Sequence, residues 1–262
     1  MSNPPLPPEI LDYIADFLHN NKQALRECCL VSKSWISRTR KHLFAHIAFS
    51  SPKILRSWKE TFPDPSNSPA YHTHTLTCSR SVADATAGDW IAGFFHVVHL
   101  EVTGGGTLGI RTAATFVPFH GFSPAIKSLR VDFTTLPTRK IFNLILSFPL
   151  LEDLSVSTYF EALRDDDGGS GRLPTAVQPP NPPMFTGSLH LSMRRGMGPV
   201  ASRLLSFSGG IRFRRLTLTP WSRNADGPLV VALVRECSDT LESLKITLPA
   251  VGTSIQHLLP FQ

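Results

Sequence analysis

One hydrophobic pattern recurs along most of the chain: an apolar residue, two variable positions, leucine, one variable position and a second apolar residue. It reads as Val97-Leu100-Val102, Ile126-Leu129-Val131, Leu151-Leu154-Val156, Phe213-Leu216-Leu218 and Leu241-Leu244-Ile246. Thr186-Leu189-Leu191 is a weaker copy, and Phe44-Ile47-Phe49 and Thr73-Leu76-Cys78 extend the series backwards. The central residues recur every 24 to 35 positions. The last three positions of each copy alternate apolar, variable, apolar. That is the period of a short strand with one buried face.

Between these strands lie segments with helical spacing. Thr138–Phe148 carries Ile141, Phe142, Leu144, Ile145 and Phe148, and Pro228–Cys237 carries Leu229, Val230, Leu233 and Val234. Val200–Phe207 is a shorter one. A strand-plus-helix unit of this length cannot bury its apolar face alone, and stacking such units joins their faces into one core. The pattern predicts a repeat solenoid with short parallel strands; an ordinary α/β domain with a parallel sheet is the alternative.

The first fifty residues follow a different rule. Leu6-Pro7-Pro8-Glu9-Ile10 opens a helix, with proline in the first turn, where its missing N–H has no partner to lose. Glu9 and Asp12 sit near the positive end of the helix dipole. Ile10, Leu11, Ile14, Phe17 and Leu18 then form one apolar face. Asn20 and Asn21 can close this helix and cap a second, over Lys22–Leu30, with Leu25, Cys28 and Cys29 facing inward. Ser32 is placed to cap a third helix that carries Trp35 and ends near Leu43-Phe44. Three short helices make a small core that gains stability from a neighbour.

This segment resembles an F-box. The match rests on Leu6-Pro7-x-Glu9-Ile10, on Ile14, Leu18 and Leu25, on Leu30-Val31-Ser32-Lys33-Ser34-Trp35, and on Leu43-Phe44. It is closest to the variant common in large fungal families of F-box proteins, and residues 45 to 250 resemble the irregular leucine-rich repeats that follow the F-box in such proteins. The resemblance implies an α+β chain: a three-helix F-box over residues 1–49, then an α/β leucine-rich-repeat-like solenoid over 50–262. It also implies docking on the Skp adaptor of a cullin–RING (SCF-type) ubiquitin ligase. By position Leu6, Pro7, Ile10, Leu11, Ile14 and Leu18 would contribute to that contact, as would Leu30, Val31 and Trp35. Core packing is the competing role for Ile14, Leu25 and Trp35. The chain departs from the repeat family at the position three after each motif. Asparagine or cysteine is expected there, and Gly105, Thr134, Tyr159, Arg194, Trp221 and Pro249 stand instead.

Two stretches interrupt the order. Asp165–Gly171 cannot hold a helix, and Pro174–Pro183 holds five prolines. Together they predict a flexible loop over 164–184 and account for the longest repeat spacing. Pro63–Pro69 is a second linker candidate. No polar capping repeat follows Leu244. Either Ile255–Phe261 is a short substitute cap or the solenoid is part of a longer one.

Composition narrows the function classes. The 262 residues are 42% hydrophobic, enough for a core. No apolar run is long enough to span a bilayer, and MSNPPLPPEI is not a secretory signal. Cys28, Cys29, Cys78 and Cys237 form neither a disulfide framework nor a zinc set, which fits a cytoplasmic or nuclear protein. The net charge of +6 permits nucleic-acid contact, but the basic residues are dispersed. The densest groups are Lys33–Lys41, Arg194-Arg195 and Arg212–Arg215. Arg212 and Arg214 would share one side of a strand.

Chemistry-bearing motifs are weak. Gly104-Gly105-Gly106 lacks the lysine and spacing of a phosphate loop and reads as a turn. His72 and His74 would share a strand face, but no acid or cysteine completes a metal set, so they read as solvated polar residues. Asp165–Asp167 lacks the closing glutamate of a calcium loop. No nucleophile motif occurs, and no cofactor is expected. The expectation is a non-catalytic substrate-recruiting subunit that holds the adaptor, through it cullin, and through its repeats an unidentified target. Turns such as Gly104–Gly106, Tyr159 and Trp221 are the candidate target contacts. The alternatives are an interaction module outside any ligase and, last, a basic nucleic-acid binder.

Overall fold

The computed structural model describes residues 7–64, 67–79, 81–82, 93–104, 125–133, 138–158, 183, 185–193, 196–207, 209–220 and 223–247. Within them the chain is a mixture of helix and strand, with seven α-helices and one all-parallel sheet of eight strands.

The helices α1 (Pro8–Phe17), α2 (Lys22–Val31) and α3 (Lys33–Leu43) come first. Each boundary has a local cause. Pro8 begins α1 with proline in its first turn. Asn21 caps α2, its side chain accepting the N–H of Ala24 at 3.0 Å. Ser32 ends α2 in an extended conformation and caps α3, its hydroxyl accepting the N–H of Ser34 at 3.2 Å. Ala15, Leu25 and Thr39 are buried between these helices. The Thr39 hydroxyl donates to the Trp35 carbonyl at 2.6 Å and lies 2.9 Å from Cys29 Sγ.

The strands follow as β1 (His46–Phe49), β2 (Thr75–Ser79), β3 (His99–Gly104), β4 (Ser128–Phe133), β5 (Asp153–Thr158), β6 (Ser188–Met193), β7 (Arg215–Thr219) and β8 (Ser243–Ile246). Their order in the sheet is their order in the sequence. The register runs through the recurring pattern. Ile47 pairs with Leu76, Leu76 with Leu100, and so on through Leu129, Leu154, Leu189, Leu216 and Leu244. The second apolar position is equally aligned, from Phe49 and Cys78 to Leu218 and Ile246. Because the side-chain period of a strand is two, this register puts both apolar rows on the same face. β1 lies before residue 50, so the sheet begins inside the segment assigned to the helices.

A main-chain stitch repeats just before the strands. The Ala45 carbonyl accepts the N–H groups of both His74 and Thr75. The His74 carbonyl does the same for Val98 and His99, and that of Val98 for Lys127 and Ser128. The stitch changes at β5–β6, across the longest spacing. Here Asp153 Oδ1 accepts the N–H of Ser188 at 2.6 Å and its hydroxyl at 2.5 Å. The Glu152 carbonyl keeps the first bond, from the Gly187 N–H at 3.1 Å, and the carboxylate takes the second. Gly187 makes room for it: a Cβ there would stand 2.4 Å from Asp153 Oδ1.

The other helices are α4 (Pro52–Thr61), α5 (Thr138–Leu146), α6 (Gly198–Leu205) and α7 (Arg223–Glu236), with a 3₁₀ turn at Pro69–His72. α7 begins five residues before Pro228, where the sequence suggests a start, and keeps that proline inside. Asp226 in its first turn is buried and accepts the Met197 N–H at 3.0 Å. Leu55 of α4, Ile141 of α5, Leu204 of α6 and Leu233 of α7 join the inward strand residues in one hydrophobic core. At the β1 end the core is aromatic: Trp58 lies edge-on to Phe44 and Phe49, with Phe94 6.2 Å away. At the other end, Leu244 and Ile246 are only half-buried.

Candidate protein-docking site

The helical segment leaves large apolar side chains uncovered. Ile10, Tyr13 and Phe17 follow i, i+3, i+7 spacing and form one stripe of α1, opposite the buried Ala15. Tyr13 is 72% and Phe17 78% exposed. Leu30 and Val31 close α2 and are 87% and 73% exposed. Isolated apolar residues on a surface need no explanation, but a stripe of three on a helix with an exposed pair on the next helix has the character of a docking surface.

The nine residues singled out in the sequence are placed as follows. Leu6 lies outside the described residues. Pro7 and Ile10 are exposed at the start of α1, and Leu30 and Val31 at the end of α2. Leu11, Ile14, Leu18 and Trp35 are half-buried, on the sides of their helices that face the bundle. The apolar face of α1 is therefore divided between packing and solvent. Tyr13 and Phe17 are not among the positions that the resemblance supplies; their i+3 and i+7 spacing from Ile10 is the signal that points to them.

Ion pairs hold this surface in place. Asp16 on α1 receives a two-pronged bond from Arg38 on α3 and a 2.7 Å contact from His42 Nε2. These contacts lower the Asp16 carboxyl to about 2, the Arg38 bonds being the largest cause. Asp12, one turn earlier, lies 3.7 Å from Arg38 Nε.

The sheet face away from the helices is polar. His46 Nε2 lies 3.1 Å from Thr77 Oγ1, and the Thr77 hydroxyl donates to Glu101 at 3.2 Å. Arg130 Nε stands 3.3 Å from the other Glu101 oxygen. One polar chain thus crosses β1 to β4. His190, further along, is held below the usual histidine range by burial first and then by Arg130 and Lys245.

Arg212 and Arg214 precede β7, which begins at Arg215, so they are not on a strand. They are exposed on either side of buried Phe213. Arg214 faces Glu242 at 3.4 Å and Arg215 faces Asp153 at 3.9 Å. An open depression of about 390 Å³ is lined by Glu152, Asp153, Arg214, Arg215 and Glu242, so both of its arginines already face carboxylates. Arg214 and Arg215 are thereby less available to a phosphate backbone.

Other singled-out residues take ordinary places. Gly104 ends β3, and the post-motif positions 105, 134, 159, 194, 221 and 249 lie outside the described residues, as does most of the 164–184 loop. His72 belongs to the 3₁₀ turn and His74 precedes β2, so the two do not share a strand. Burial pushes the Cys78 thiol up to about 12 and also raises Cys237. Among the described residues no group of three or more His, Cys, Asp or Glu could hold a metal ion, and no helix is long and apolar enough to cross a membrane. No protein-family model, curated protein or solved structure matches the chain.

Proposed function

We propose that this chain is a substrate-recognition subunit of an SCF-type ubiquitin ligase. The helical segment docks on a Skp-type adaptor, and through it on cullin. The repeats, stacked as a leucine-rich-repeat-like solenoid, present a target protein. The observation that carries the reading is the uncovered apolar set on α1 and α2, in which Ile10, Leu30 and Val31 stand at positions where the F-box resemblance places adaptor contacts. An exposed apolar anchor entering a partner's pocket is the usual form of an interface hot spot. The ordered parallel sheet supports the second half, because its polar face offers a broad surface beside the helical segment.

No catalytic residue is required of this chain. Holding a target beside a ubiquitin-charged enzyme raises their effective concentration and turns an encounter into a tethered reaction. The adaptor is tested with Leu6→Ala/Pro7→Ala, which should abolish its pull-down; unchanged binding would remove the F-box reading. Cullin is tested in the same pull-down. Its presence supports the ligase, and adaptor without cullin points to an interaction module that works outside one.

A further inference from the structure

A second surface lies where α3 meets the 3₁₀ turn. The turn, which holds Tyr71 and His72, packs on α3, and Arg40 and Lys41 of the last turn of α3 lie close enough to His72 to act on it. Phe95 and His96 come from the segment before β3. The Tyr71 ring lies 4.6 Å from His96, 5.8 Å from Phe95 and 5.5 Å from His72. Tyr71 and Phe95 are exposed large rings, and Arg40, Lys41, His74 and His96 are exposed as well.

Among the described residues, the charges that act on His72 have one sign. Beyond its own burial, the groups that act on His72 are Lys41, His74, Arg40 and His96, and all four oppose its protonation. Among the described residues no carboxylate forms an ion pair with Arg40 or Lys41. Arg214 and Arg215 differ, being paired with Glu242 and Asp153. Exposed rings beside unpaired cations fit a partner that offers apolar and acidic side chains together.

We infer that the surface of Arg40, Lys41, Tyr71, His72, Phe95 and His96 binds an acidic, aromatic-containing peptide segment of a protein partner. A peptide fits better than a nucleic-acid strand for two reasons. The neighbouring rings meet Tyr71 at 76–86°, which leaves no flat shelf for successive bases. Two fixed cations also fall short of the row that tracks a phosphate backbone. The inference does not rest on the adaptor reading, because none of these residues lies on the uncovered faces of α1 and α2.

The test is fluorescence anisotropy with the full chain and a labelled peptide of glutamates flanking a central phenylalanine. Controls replace glutamate by glutamine, by lysine or by phosphoserine. The glutamate peptide should bind saturably and at least about tenfold more tightly than the glutamine peptide. Arg40→Glu/Lys41→Glu should weaken that binding about tenfold, as expected for two surface charges reversed. The same variant should gain affinity for the lysine peptide, a gain that a misfolded protein would not show. Arg214→Glu should change nothing. The phosphoserine peptide tells whether carboxylate or phosphate is the preferred anion. Equal binding of the glutamate and glutamine peptides would overturn the inference. So would an unchanged affinity in the double variant, or preference for a single-stranded oligonucleotide over every peptide.

Discussion

Asp16 and Arg38 bind each other through two parallel hydrogen bonds, Nε to Oδ1 at 3.1 Å and Nη2 to Oδ2 at 3.0 Å. The pair ties α1 to α3 and fixes the rotation of α1. That rotation decides which side chains face solvent. With Asp16 turned to α3, Ala15 is buried and Ile10, Tyr13 and Phe17 are left outside. A planar guanidinium suits this geometry better than an ammonium, so Arg38→Lys should not substitute fully.

The pair predicts an acid-sensitive contribution to stability. Asp16 titrates near 2 when folded, below the ordinary 3.8. A lowered folded value favours the ionised form, so this contribution is complete above about pH 4 and is lost as pH falls through about 2. The denaturant midpoint should decline over that window, and Asp16→Asn should start lower and decline less. Parallel pH profiles for the two proteins would refute the assignment.

Thr73 holds the first position of the strand motif, which Val97, Ile126, Leu151, Phe213 and Leu241 fill with apolar side chains. It is fully buried, and among the described residues its hydroxyl has no hydrogen-bond partner. Thr73→Val keeps the shape and removes the unsatisfied group. Thermal unfolding should show a gain of about 1 kcal/mol. A loss of stability would mean that the hydroxyl is satisfied in solution.

Gly187→Ala should be costly. The new Cβ would meet Asp153 Oδ1 at 2.4 Å and the Glu152 carbonyl at 3.0 Å, and that carboxylate is already held by Ser188. The expected loss is about 1–3 kcal/mol, the range for overpacking a tight site. Combining it with Asp153→Ala should relieve part of the clash, giving a double variant less destabilised than the sum of the singles. Strict additivity in a denaturation cycle would show that the two residues do not interact.

Phe17→Glu and Leu30→Glu separate packing from docking. Both side chains are more than three-quarters exposed, so unfolding free energies should stay within about 0.5 kcal/mol of the parent. Leu25→Ala, at a fully buried position, should cost about 2–5 kcal/mol. A large loss from Leu30→Glu would assign that residue to the core instead.

The sheet was legible because one residue type marks one physical position. Leucine or isoleucine at the centre of each motif fixed the register of all eight strands, including the weak copy at Thr186, where Asp153 and Gly187 adapt the stitch. The exposed apolar surface of α1 and α2 is legible only in part. Periodicity identifies an apolar face but not how far the neighbouring helices cover it, so it does not separate half-buried Leu11 and Leu18 from exposed Ile10. The Tyr71 surface was hidden for another reason. Its rings and cations come from three separate segments, and spacing that suggests a shared strand face for His72 and His74 carries no sign that the fold brings His96 beside Tyr71 or Lys41 within reach of His72.

The central claim is that the helical segment docks on a Skp-type adaptor. Its most direct test is co-expression of the full chain with such an adaptor, followed by gel filtration of the parent and of Leu30→Glu. The account predicts a stable one-to-one complex for the parent and separate elution for the variant. Two folded proteins eluting apart in the parent experiment would contradict it.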